Sequence, residues 1–223
     1  MNASTDTPNR ILEVARELFA ARGYEGTTVR DIAVAAKANL AGVGYHFGSK
    51  QGLYQDVLRS QVGPLGLRLE AVCRSSSPPL DRLEAIVRAV FEHIRMRPQM
   101  PALIVREMAS GREINAALVG TFRQLLPVIT GVITEGQRDR SIRPGDPVLL
   151  ALSVMAQPIY FNLARPVIAA AAGLEVGDPA TAERMAEHAA AVIRAGLAGP
   201  RSAGRDAGAT GARGPARRKG GAK

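Results

Sequence analysis

The chain has 223 residues, 46% of them hydrophobic and 22% charged, which excludes fibrous and low-complexity classes and allows one large domain or two modest ones. The formal net charge is +9, but residues 201–223 hold seven Lys/Arg against one Asp. Six of the nine charges therefore sit in a C-terminal tail, and net charge alone does not argue that the folded part touches nucleic acid.

The first helix is expected to open with Thr7 as N-cap and Pro8 at the first helical position, and to carry Ile11, Ala15, Leu18 and Phe19 at helical spacing. Glu13, Arg16 and Glu17 interrupt that apolar face, so it does not read as a signal peptide. Gly23 ends it, where a left-handed residue is tolerated. Thr28 and Asp31 then form a capping-box pattern before a short helix burying Ile32, Ala33 and Ala36. Asn39 can cap a third helix with Leu40, Val43 and Phe47 on its apolar face. A fourth begins near Lys50 and includes Leu53, Tyr54, Val57 and Leu58.

From residue 80 the helical period continues without strand-like alternation. Leu83, Ile86, Val87, Val90, Phe91 and Ile94 form one stripe, which Pro98 and Pro101 interrupt. A helix containing Leu103, Ile104 and Met108 follows, then a longer one over about Ile114–Arg138 that holds Pro127. Asp146–Pro147 and Asp178–Pro179 each read as an N-cap followed by proline at the first helical position. The fold class is all-α, with about nine helices. The longest uncharged run, 148–164, is shorter than the roughly 20 residues of a membrane span and holds Gln157, Pro158 and Asn162. A cytoplasmic protein without membrane contact is expected.

Two short adjacent helices have helix-turn-helix proportions. Residue identity sharpens that reading: Gly23-Tyr24, then Thr27-Thr28-Val29-Arg30-Asp31-Ile32-Ala33, Asn39, and Tyr45-His46-Phe47-Gly48-Ser49-Lys50. In motif detail, residues 8–58 resemble the DNA-binding domain of TetR-family transcriptional regulators. The resemblance extends to residue 198 as a helix plan only. It implies an N-terminal three-helix head and a larger helical ligand-binding and dimerisation domain. The expected division is a disordered 1–7, a head at 8–58, an effector and dimer domain at 59–198, and a disordered basic tail at 199–223.

By that resemblance Leu40, Ala41 and Gly42 face the bases, while Thr28, Tyr45, His46 and Lys50 hold the phosphate backbone. The chemistry agrees, because small side chains let a helix approach base edges and hydroxyl, ring N–H and ammonium groups suit phosphate oxygens. Three departures stand out. Lys37 occupies a turn position where the family commonly has glycine, so a residue with a Cβ is expected in a left-handed conformation. Gly44 replaces a tyrosine that contacts phosphate in many members. Gly42 and Gly44 together weaken the helix by roughly 1 kcal/mol each relative to alanine.

The family plan also implies a homodimer on a palindromic double-stranded operator and a small-molecule effector, with no cofactor. Phe91, Met100, Met108, Phe122, Met155 and Tyr160 are candidates to line the effector pocket. Arg106, Glu107, Gln157 and Asn162, isolated in apolar segments, are candidate polar anchors. Cys73 is the only cysteine, a core residue or a lone thiol sensor. His46, His93 and His188 form no evident metal motif, and Gly42-Val43-Gly44 lacks the third glycine of a dinucleotide loop, so an enzyme is not expected. An architectural DNA-binding protein without a ligand switch is the alternative.

Overall fold

The computed structural model describes residues 3–175 and 177–200, with side chains from residue 7 onward. Ten helices occur among the described residues: α1 (Ala3–Arg22), α2 (Val29–Ala35), α3 (Leu40–Phe47), α4 (Lys50–Cys73), α5 (Pro79–Met96), α6 (Met100–Met108), α7 (Ala116–Arg138), α8 (Pro147–Leu163), α9 (Arg165–Ala172) and α10 (Pro179–Leu197). Helix α1 starts at Ala3 and carries Pro8 inside it, so the expected N-cap at Thr7 is corrected.

Two hydrophobic clusters divide the protein. The first gathers Ile11, Phe19, Ile32, Val43, Leu53 and Leu58 with neighbours from α1 to α4. The second is larger and gathers residues from α4 to α8 and α10, Leu69, Leu83, Ile86 and Ile133 among them. Helix α4 serves both, since its Leu53–Leu58 stretch belongs to the head and Val62, Leu65 and Leu69 to the body. Leu103 of α6, 1% exposed, joins the head cluster although it lies far along the chain.

Around the body, α5 packs on α4, α7, α8 and α10. Arg82 of α5 is buried; its guanidinium donates to the Cys73 carbonyl at 2.9 Å and pairs with Glu135 of α7 at 2.6 Å. Helix α7 is long and apolar enough by composition to cross a membrane. Here its inner residues Leu125, Ile129, Val132 and Ile133 are buried in the body cluster. Cys73 is buried too, and desolvation pushes its thiol up to about 11, away from the reactive thiolate.

Gly199 is where the basic tail was expected to begin. Gly199 is buried, and its N–H donates to the Ser141 carbonyl at 2.8 Å, tying the end of α10 to the α7–α8 loop. Residues 201–223, where the remaining basic tail was expected to be disordered, lie outside the described residues.

His93 of α5 is buried with Nε2 donating to the Gln61 carbonyl of α4 at 2.6 Å. Burial holds its pKa below the ordinary 6.5, with nearby Arg97 and Arg68 acting in the same direction. As pH falls through 6.5 the unfolded chain takes up this proton first, so the stability held above that value declines. Thermal unfolding midpoints are expected to fall between pH 7.5 and 5, and His93→Gln should flatten that slope.

Candidate functional site

The two short helices of the head are fixed at all four ends. Thr28 and Asp31 close a full capping box: Asp31 N donates to Thr28 Oγ1 at 3.1 Å, and Thr28 N donates to Asp31 Oδ2 at 3.0 Å. The Thr28 hydroxyl also donates to Asp31 Oδ2 at 2.7 Å, so it is engaged within the cap. What α2 presents outward at that end is its free backbone N–H groups. Those hydrogen bonds hold the Asp31 carboxyl below its ordinary range.

The turn after α2 is a Schellman motif. Ala38 N donates to Ala33 O at 2.9 Å and Lys37 N to Val34 O at 3.1 Å, with Lys37 at φ 48°. The left-handed lysine expected from sequence is therefore present. Relief of its strain, about 1–2 kcal/mol, less the greater unfolded freedom of glycine, about 0.5–1 kcal/mol, leaves a net gain. Lys37→Gly is expected to raise stability by about 0.5–1 kcal/mol in denaturant titrations.

Helix α3 starts with Asn39 Oδ1 accepting from Ala41 N at 3.0 Å and ends at Gly48, φ 71°. Only Val43 of this helix is buried. Leu40 is 48% exposed and Tyr45 84%, and Ala41 and His46 are exposed with them, while Gly42 is half-buried. Phe47 packs half-buried against the head cluster. Thus Leu40, Ala41, Gly42, Tyr45 and His46 share one short helix with a single buried anchor. Amide exchange at Val43–His46 in the free protein is expected to be faster than in the interior of α1, and slower once duplex is added. Equal protection without DNA would contradict this weak anchoring.

Lys50 opens α4, which Ser49 caps through its Oγ to Gly52 N at 3.0 Å. Its Nζ lies 4.2 Å from the centre of the Tyr24 ring, and the Arg112 guanidinium stands 4.2 Å from the same ring. Tyr24 also stacks on Phe19 and meets Tyr54 at 5.0 Å. Its place beside Gly23 in the motif was legible, but its role as a seat for two cations was not. Thr27, fully buried, likewise braces the turn by donating to Gly23 O at 2.9 Å.

Behind the head lies a buried carboxylate. Glu107 of α6, 2% exposed, accepts from Tyr54 Oη at 3.0 Å, from Asn115 N at 2.7 Å and from Arg112 Nη2 at 3.4 Å. Burial first, then the Glu107 carboxylate, pushes the Tyr54 hydroxyl well above its ordinary pKa. Neighbouring Arg106 donates to the Ala21 carbonyl at the end of α1 at 3.0 Å. Both residues were candidate ligand anchors, with an internal ion pair or a dimer contact as the alternative; both face the head, and Glu107 pairs internally with Arg112.

The opposite side of α6 borders a cavity of about 270 Å³. Met100, Ile104 and Met108 line it together with Phe122 of α7 and Met155 of α8. Thr121 is the one polar residue on its wall. Four of the six candidates, Met100, Met108, Phe122 and Met155, are thus brought together. Phe91 and Tyr160 are not: Phe91, buried 6.2 Å from Phe161, lines a separate adjoining cavity, and Tyr160 points outward, 61% exposed. Gln157 leaves Oε1 buried without a partner, and Asn162 donates to the Pro158 carbonyl at 2.8 Å.

Comparison with known proteins agrees with this layout. Residues 11–57 match the family model for bacterial regulatory proteins of the tetR family, and residues 79–193 match that for the tetracyclin repressor-like C-terminal domain. The HTH-type transcriptional repressor KstR2 of Mycolicibacterium smegmatis is 26% identical over 201 residues, covering 86% of this chain and 94% of its own. The HTH-type transcriptional regulator RutR of Escherichia coli is 26% identical over 188 residues, with 84% and 88% covered. Among solved structures, the ketosteroid transcriptional regulator KstR2 of Mycobacterium tuberculosis superposes with a TM-score of 0.69 at 24% identity, covering 85% of this chain and 94% of that one. FadR from Bacillus subtilis, in complex with stearoyl-CoA, gives 0.70 at 15% identity, with 84% and 98% covered. At these identities the structural likeness concerns the fold.

Proposed function

Because the chain belongs to the TetR family of bacterial transcriptional regulators, we propose that it is a homodimeric, cytoplasmic repressor that leaves a palindromic operator when an apolar or amphipathic ligand fills the cavity beside α6. The observation that carries the switch is the double allegiance of α6. Met100, Ile104 and Met108 border the cavity, whereas Leu103 is packed in the head core and Arg106 and Glu107 bond to α1 and α4. A ligand that alters the seat of α6 alters the seat of the head.

The ligand must distinguish two states for this to matter. A molecule that binds better when the two heads are wrongly spaced weakens DNA binding by that difference in affinity, and one with equal affinity does nothing. The almost wholly apolar cavity wall favours apolar ligands. KstR2 and FadR, whose descriptions name a ketosteroid and stearoyl-CoA, are consistent with that class.

At the DNA, Leu40, Ala41 and Gly42 face the base edges in the major groove. Tyr45, His46, Lys50 and the α2 N-terminus hold phosphates and so set register. The dimer reading rests on α8 and α10, which pack side by side. Leu149 and Tyr160 stay exposed on α8, with Leu152 and Leu163 beside them at the edge of the cavity, and Val192 with Gly196 on α10. A second copy burying these faces would form a four-helix interface whose two-fold axis matches a palindrome. Purified protein bound to a selected duplex should release it as an apolar ligand is titrated. Retention of the duplex by protein saturated with a cavity ligand would contradict the switch.

A further inference from the structure

The cavity beside α6 has little to offer a polar group. Its one hydroxyl, on Thr121, already donates to the Ala117 carbonyl at 3.0 Å. A second cavity of about 290 Å³ adjoins it, and Ile94 and Pro101 line both. There the chemistry changes.

Arg95, Asn162 and Arg165 line this second space, and among the described residues no acidic one does. Arg95 is partly neutralised, because Glu92 accepts from it at 2.8 and 2.7 Å. The side chain of Arg165, the exposed first residue of α9, makes no ion pair or hydrogen bond among the described residues. Its guanidinium rests against Gly177, where a Cβ would collide with Nη2. Asn162 uses one N–H on the Pro158 carbonyl and retains another donor. A free planar guanidinium beside an amide donor, at the edge of an apolar chamber, fits a carboxylate or phosphate.

Resting on the reading that the apolar cavity holds the effector, we propose that the second cavity binds an anionic group carried on that effector's apolar body, with Arg165 as its main contact. The ligand class is then an apolar chain or ring system bearing a carboxylate or phosphate, and uncharged hydrocarbons are its weaker analogues.

The full chain is titrated with decanol, decanoate and decyl phosphate. At least one anionic probe is expected to bind roughly ten-fold more tightly than decanol, and which one does so identifies the group. Arg165→Ala should abolish that preference and leave decanol binding unchanged. Gly177→Ala keeps the charge but displaces the guanidinium, so it should reduce the preference at an unaltered thermal midpoint. Equal binding of all three probes by the unmodified chain overturns the anion site and leaves the apolar cavity standing. Failure of all three to bind overturns both. An Arg165→Ala variant that loses decanol as strongly as the anions marks a structural role and also overturns the proposal.

Discussion

Ala41→Glu is expected to abolish operator binding while leaving the fold intact. Ala41 is the second residue of α3, exposed, with its backbone N–H held by Asn39. On the proposed docking, a carboxylate there would face the negative duplex at the point of closest approach. Like charges forced together in an interface cost several kcal/mol, so the loss should reach roughly 100-fold or more. Stability should not suffer, because an acidic residue in the first turn of a helix is favourable by about 0.3–1 kcal/mol. Fluorescence anisotropy at fixed salt reads the first effect and thermal unfolding the second. Unchanged affinity at an unchanged midpoint would remove α3 from the interface.

Glu107→Ala should do something different, damaging stability and communication together. Its removal orphans the buried Tyr54 hydroxyl and the Asn115 N–H, at about 1–3 kcal/mol for each group that stays dry. Arg112 is partly exposed and can turn to water, so its loss adds little. We expect destabilisation of about 2–4 kcal/mol. The second effect bears on function: with α6 no longer bonded to α4, the ratio of DNA affinities with and without ligand should shrink. Allosteric couplings typically amount to about 1–3 kcal/mol, and most of that should vanish. Tyr54→Phe, which removes a single hydroxyl, is the milder companion, and the double variant tests whether the two act as one contact. A destabilised Glu107→Ala protein with undiminished ligand response would assign the carboxylate to stability alone.

Local chemistry explains which elements were legible in the sequence. Asn39, Asp146 and Asp178 each accept backbone N–H groups at the helix starts where they were expected. The left-handed Lys37 followed from the family resemblance, which commonly has glycine at that turn position. Such features depend on a few neighbouring residues, so the sequence carries them directly.

What required the fold was the partner of each side chain. Periodicity places Phe91 and Tyr160 on a helix face but does not say which helix stands opposite. One turned out to pack beside Phe161 and the other to face outward. Arg106 and Glu107 looked like anchors because their own segment is apolar, while Arg106 reaches Ala21, 85 residues away, and Glu107 reaches Tyr54, 53 residues away, besides the nearer Arg112 and Asn115. Helix α9 escaped notice because it has no side-chain cap and buries none of its residues, so Pro166 at its start and the left-handed Gly173 at its end were the only marks it left in the sequence. The roles of Tyr24 and Thr27 were hidden in the same way, in contacts a linear pattern does not contain.

The central claim, that α3 enters the major groove twice per symmetric pair of subunits, is most directly tested by selecting bound fragments from random duplexes and footprinting the winners. The account predicts an inverted repeat whose half-site centres are about 34–36 Å apart, or a multiple of that distance. A pool without two-fold symmetry, protected in proportion to its length and equally well by Ala41→Glu, would contradict it.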